Sequence, residues 1–152
     1  MIYFEDFSPG EIVEYGDRAV TAEEIIAFAR EFDPQPFHLG QDEGSDSPAG
    51  GLTASGWHVA SIMMRMNCDQ MLLESSSQGS PGIEEIDWPT PVRPGDRLRI
   101  RRTTLAARVS RSRPTVGLVE ARFELMNQAG DIVMTQRGSI FFGLRPSAET
   151  QR

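Results

Sequence analysis

Apolar positions recur at two different spacings along this chain, and the change of spacing divides it into a helical part and a β part. In "TAEEIIAFAREF", Ile25, Phe28, Ala29 and Phe32 return every three or four residues, and Thr21 with Glu24 forms a capping-box pattern, which predicts a helix. Asp33-Pro34 ends it. Because proline disfavours helical geometry at the residue before it, Asp33 is expected at the helix exit with the chain running extended toward His38. A second helix is expected over roughly "TASGWHVASIMMRMNCDQMLL". There Trp57, Val59, Ile62, Met63, Met64, Met66, Met71 and Leu72 cover more than one narrow stripe, so this helix needs other structure wrapped about it.

Beyond the Ser-rich stretch "ESSSQGSPG" the spacing shortens to two. "GIEEIDWPTPV", "DRLRIRRTTLAARV", "TVGLVEARFELMN" and "DIVMTQRGSIFFGL" alternate apolar and polar residues, and "NQAGD" supplies a turn between the last two. Leu98 and Ile100 point one way while Arg97, Arg99 and Arg101 point the other, giving a sheet with one apolar and one charged face. Curling such an antiparallel sheet about the long apolar helix satisfies both, which is an α+β, hot-dog-like arrangement. A half-wrapped helix and open sheet edges also predict a homodimer or a dimer-based oligomer, since pairing edge strands removes exposed backbone donors and acceptors.

Composition narrows the picture. The chain has 152 residues, 39% of them hydrophobic, which suits one domain (1–145) followed by a short polar tail (146–152). Cys68 is the single cysteine, so neither a disulfide framework nor a zinc-spaced cluster is expected. The opening "MIYFEDFSPGE" lacks the features of an export signal, and no run of apolar residues is long enough to span a bilayer, so the expected location is a reducing cytoplasm. A net charge of -7 argues against wholesale nucleic-acid binding, although all 15 basic residues are arginine and cluster locally.

The candidate chemistry starts in "FDPQPFHLG". Asp33 and His38 are separated by a stretch that two prolines stiffen, and their side chains can converge on one small molecule such as a water near the end of the central helix. An ionised carboxylate beside an imidazole that titrates near neutrality can accept and return a proton. The alternative is that Asp33 is an ordinary hydrogen-bonding residue at a helix exit and His38 a packing residue beside Phe37 and Leu39. "AGGLTASGWH" sets Gly50, Gly51 and Gly56 around the start of the central helix, where unpaired N–H groups and the positive end of the dipole face outward. The Gly56 amide is the candidate donor to a carbonyl oxygen gaining charge, because backbone without a side chain lets a substrate approach closely. Alternatively, these glycines merely permit a tight loop and close helix packing.

Asp33 and His38 in "DPQPFH", followed by "GGLTASGWHVASIMMRM", resemble the hydratase motif and central helix of the MaoC-like acyl dehydratases, the hot-dog group that includes (R)-specific enoyl-CoA hydratases. The resemblance runs from "FEDFSPGE" through "PVRPGDRL" to the last strand. It implies a hydro-lyase that reversibly adds water to a trans-2-enoyl thioester, within a homodimer of hot dogs. Asp33 and His38 would hold the water and Gly56 N–H would steady the enolate-like oxygen. It implies no metal or redox cofactor; coenzyme A or acyl carrier protein enters as the carrier of the substrate. The chain departs from the family pattern in two places: Gln35 stands where Asn is common, with Pro34 directly after the acid, and Ser55 rather than His precedes Gly56.

Other residues carry weaker signals. His58 is read as a hydrogen-bonded buried or interface residue, and Trp57 and methionines 63, 64, 66 and 71 as packing, with an acyl-pocket wall as the alternative. Arg93, Arg97, Arg99, Arg101, Arg102, Arg108, Arg111 and Arg113 are read mostly as a solvated strand face, with one or two available to grip the phosphates of coenzyme A. Two other functions use the same scaffold: a thioesterase, which is expected to place an Asp or Glu base on or near the central helix, where this chain offers only Asp69, far from Gly56, and a non-catalytic acyl-thioester-binding or scaffolding domain.

Overall fold

Thr21 starts the first helix in the way its side chain allows. Its Oγ1 accepts from Glu24 N–H at 3.2 Å while the Glu24 carboxylate takes the Thr21 N–H at 3.1 Å, and α1 runs Ala22–Phe32. The computed structural model describes residues 1–41 and 49–147. The polar tail read at 146–152 therefore falls, from 148 on, outside the described residues.

A 3-10 turn (Phe4–Asp6) leads into β1 (Ile12–Ala19); after α1 come a short helical turn α2 (Pro36–Leu39) and the central helix α3 (Gly56–Asn67). The strands β2 (Gly82–Asp87), β3 (Arg97–Val109), β4 (Val116–Met126) and β5 (Ile132–Gly143) follow. They form one antiparallel sheet in the order β1-β3-β4-β5-β2, so β1 and β2 are its edges. The inner residues of this sheet, among them Ile100, Leu125, Val133 and Phe142, share one core with Val59, Ile62, Met63 and Met66 of α3 and with Ile25 of α1. Full burial of each such side chain stabilises the fold by roughly 1.5–3 kcal/mol. This is the α+β hot-dog arrangement, with the sheet packed about the central helix.

Two details of the sequence reading change. The central helix is α-helical only from Gly56 to Asn67 and continues as a π-helical turn over Cys68–Leu72. Its girth is not wrapped all round: Trp57 is 61% and Met64 49% exposed, so these two are not core packing in this chain, whereas Met63, Met66 and Met71 are buried. Ile83 on the neighbouring edge strand β2 is exposed as well, and an apolar strip therefore runs along α3 beside a sheet edge that pairs with no further strand among the described residues.

On the outer face the alternation holds. Arg97 pairs with Asp17, Arg99 with Glu14 and Arg101 with Glu124. Arg102 is the exception to a solvated basic face. It lies inward and buried, with its guanidinium 5.1 Å over the Phe7 ring and one nitrogen 3.6 Å from Glu11, because residue 102 shares the face of Leu98 and Ile100. The turn at "NQAGD" closes through the Asn127 side chain, whose oxygen accepts from the N–H groups of Ala129 and Asp131.

Candidate active site

Pro34 stops α1, and Asp33 takes the position after its last residue, with its N–H donated to Ala29 O at 2.9 Å. The chain does not then stay extended to His38. Gln35 is extended, but Pro36 sits at the first position of α2, where its fixed φ suits a helix and its missing N–H costs nothing. That one turn swings His38 back over Asp33, and Gly40 ends it in the left-handed conformation at φ 70°.

The result is a nearly buried pair. His38 Nε2 lies 3.3 Å from Asp33 Oδ2, and His38 Nδ1 lies 2.7 Å from the carbonyl oxygen of Thr53. A carbonyl can only accept, so Nδ1 carries the hydrogen and Nε2 is the nitrogen turned to the carboxylate. The Gln35 amide donates to the other oxygen, Asp33 Oδ1, at 2.6 Å, so the residue that departs from the family's Asn still serves the acid. Burial acts to raise the Asp33 pKa, but the Gln35 amide, the Ser55 hydroxyl and His38 outweigh it and hold the carboxyl below its ordinary value.

Residues 53–55 join this pair to the tip of α3. Thr53 N–H donates to Phe37 O at 3.1 Å and Ala54 N–H to Val92 O at 2.9 Å, so the segment is stitched between α2 and the stretch that follows β2. Ser55 precedes the helix but does not cap it with its side chain. Its hydroxyl is fully buried and pulls on the Asp33 carboxyl, yet it completes no hydrogen bond of good geometry among the described residues. Gly56 is the first helical residue, and its N–H has no acceptor within the helix. The helix start and the Ser55 hydroxyl together leave polar groups whose hydrogen bonding is incomplete among the described residues.

The three glycines separate in role. Gly50 and Gly51 adopt φ of 69° and 121°, so they serve the loop. Gly56 has ordinary helical geometry and is glycine for want of space: a Cβ there would lie 2.7 Å from the Trp88 ring. The open approach expected from the sequence is filled on that side by an aromatic wall. Trp88 also donates its Nε1–H to Gly56 O at 3.0 Å. A cavity of about 340 Å³ adjoins this point, bounded by Ala54, Gly56, Val59, Trp88, Thr90 and Val133. Asp33 and His38 are not in its walls; the pair and the cavity flank the same segment, residues 54–56.

His58 is buried, as expected, but the hydrogen bond expected of it is missing at one ring nitrogen among the described residues. Its ring stacks on Phe28 with centroids 4.7 Å apart, and Nδ1 is buried without a partner among the described residues. Burial holds its pKa below the usual value, against the pull of Glu24, with Arg18 adding to the lowering. Asp69 is exposed and paired with Arg65 one turn earlier, about 20 Å along the helix from Gly56. Of the arginines, Arg93 holds the carbonyls of Ala49 and Gly50, and Arg113 bonds Gln78. Arg108 and Arg111 form no ion pair among the described residues. Sequence reasoning missed Thr53 and Trp88, and the one trace of Trp88 was its place before the stiff Pro89-Thr90-Pro91.

Residues 6–125 match the family model described as "MaoC like domain". The chain is 38% identical to a MaoC-like dehydratase of known structure from Rhodospirillum rubrum, covering 97% of this chain and all of that one with a TM-score of 0.88. It is 29% identical to an Archaeoglobus monoamine oxidase regulatory protein, over 95% of this chain and 96% of that one, TM-score 0.82. Against the (R)-hydratase PhaJ1 of Pseudomonas aeruginosa the identity is 19%, over 95% and 87% of the two chains, with a TM-score of 0.71, a likeness of fold.

Proposed function

This chain belongs to the MaoC-like domain family, and from that premise we propose that it reversibly adds water to a trans-2-enoyl thioester carried on coenzyme A or acyl carrier protein. The observation that carries the reading is the 3.3 Å contact of His38 Nε2 with Asp33 Oδ2, oriented by Thr53 and Gln35 and set against an uncapped helix start.

The proposed chemistry uses what that geometry offers. In the form of the ring whose Nε2 carries no hydrogen, a water placed between Nε2 and the Asp33 carboxylate can give one hydrogen to each acceptor. As the water oxygen bonds to the β-carbon, its proton passes to Nε2 and the alkene pair shifts toward the thioester carbonyl. The oxygen that gains charge is met by the Gly56 N–H and the positive end of α3. The enolate then collapses, its α-carbon taking the proton back from the imidazolium that Asp33 steadies. Dehydration is the same path reversed. The active unit is proposed to be a dimer, supported by the exposed Trp57, Met64 and Ile83 beside the unpaired edge of β2; cytoplasmic location and a role in fatty acyl metabolism belong to the same proposal.

A second reading, a non-catalytic acyl-thioester-binding domain, is favoured by one fact: the Asp33–His38 pair lies outside the walls of the cavity at Gly56. The thioesterase reading is weakened further, since Asp69, already far from Gly56 in sequence, is also ion-paired with Arg65. The test is to mix the purified protein with crotonyl-CoA and longer enoyl-CoAs. Loss of the conjugated-thioester absorbance without release of free thiol supports hydration. Thiol release assigns a thioesterase, and binding without either signal assigns the non-catalytic domain.

A further inference from the structure

We propose that Trp88 is a positioning residue that pins the first residue of the central helix and thereby aims the Gly56 N–H; this rests on the hydration reading above. Three observations meet at one Cα. The Trp88 ring stands 2.7, 3.0 and 3.1 Å from where a Gly56 Cβ would be, so it packs directly on the backbone there. Its Nε1–H donates to Gly56 O at 3.0 Å, fixing the peptide on the far side of the same Cα. The Ser55 side chain makes no capping bond, so the restraint an N-cap residue ordinarily gives at this end is missing.

The need for such a pin follows from the residue it holds. Glycine has the widest choice of backbone conformations, and a helix start without a cap frays readily. A donor that must meet a developing oxyanion is useful only if its direction is set before the reaction, and a misplacement near 1 Å can cost on the order of a hundredfold in rate. Trp88 is itself held. Its ring meets Trp57 edge to face at 5.5 Å between centroids, and its backbone enters Pro89-Thr90-Pro91, which leads to Val92, whose carbonyl takes the Ala54 N–H. The strap after β2 thus grips the segment 54–56 from two points, one by backbone and one by side chain. Glycine at 56 and tryptophan at 88 are a matched pair, each explaining the other.

The match makes the test sharp. Trp88→Phe keeps an aromatic ring and removes the N–H donor; Trp88→Ala removes both. With enoyl-CoA as the substrate, kcat is expected to fall in the order wild type, Trp88→Phe, Trp88→Ala, by about tenfold and then about a hundredfold, with KM changed less than kcat. Amide exchange at Ala60, whose N–H the helix bonds to Gly56 O, read by NMR on the free protein, is expected to quicken in the same order while exchange in β3 and β4 stays as in wild type. Gly56→Ala brings a Cβ into the ring and is expected to lower kcat strongly alone but much less in the Trp88→Ala background, a non-additive pair. Unchanged kcat in Trp88→Phe, a loss confined to KM, or additive effects of Gly56→Ala and Trp88→Ala each overturn the proposal. A wild-type protein that hydrates no enoyl thioester sinks the hydration reading instead, and the pin is then judged on exchange alone: an unchanged Ala60 rate in both Trp88 variants ends it too.

Discussion

Replacing Asp33 by asparagine isolates the charge in the candidate site from its shape. The amide is nearly isosteric, and one of its ends can still meet the Gln35 amide as Asp33 Oδ1 does at 2.6 Å. What disappears is the negative charge 3.3 Å from His38 Nε2. At that separation and an effective dielectric near 20, a carboxylate steadies an imidazolium by about 5 kcal/mol before the cost of desolvation is subtracted. The reaction proposed above forms that imidazolium, so most of this stabilisation acts on the transition state. A loss of about 3–5 kcal/mol corresponds to about 10²–10⁴ in kcat, the range usual for a missing acid–base group. The measurement is the decline of enoyl-thioester absorbance under saturating substrate, for wild type and Asp33→Asn at equal concentration, with a thermal melt to show both are folded. Turnover by the folded variant within about threefold of wild type would falsify the assignment, because a charge this close cannot be removed so cheaply if it is used.

The remaining predictions concern stability and assembly. His58 is held below its ordinary pKa, so the unfolded chain takes up the proton first and stability must fall as pH drops below about 6.5; urea midpoints at about pH 7.5 and 5.5 are expected to differ less in His58→Gln than in wild type, and an equal drop in both excludes His58 as the source. Thr21→Ala removes the acceptor for Glu24 N–H and is expected to cost about 1 kcal/mol, read as a melting temperature lower by about 2–4 °C. Ile83→Lys sets a charge on the exposed edge strand β2 and is expected to shift the protein toward monomer in light scattering; a wild type that is monomeric at micromolar concentration counts against the proposed dimer.

Much of the fold could be read along the chain because it depends on local pattern. The capping box of Thr21 and Glu24, the alternation that puts Leu98 and Ile100 inward, and the turn at Asn127 to Asp131 each follow from neighbours in sequence, and each stands in the structure. The same alternation also held the answer for Arg102, which falls on the apolar face by count alone; its charge drew it into the wrong group. Asp33 and His38 were close enough in sequence for their meeting to be read, although the turn that brings them together, α2, was not, since Pro36 can begin a helix as well as prevent one.

The chain by itself determined the two longer helices, the sheet's two faces and the nearness of Asp33 to His38, since all of these are set by residues a few positions apart. Only the tertiary structure decided which nitrogen of His38 faces the acid, because that rests on Thr53, fifteen residues away. It also decided why position 56 is glycine, because the ring that fills its side belongs to Trp88, brought there by a strand and a proline-stiffened strap. Periodicity reports which side of an element is buried; it carries no information about which distant side chain comes to lie against it, and the directed contacts of this site are of that second kind.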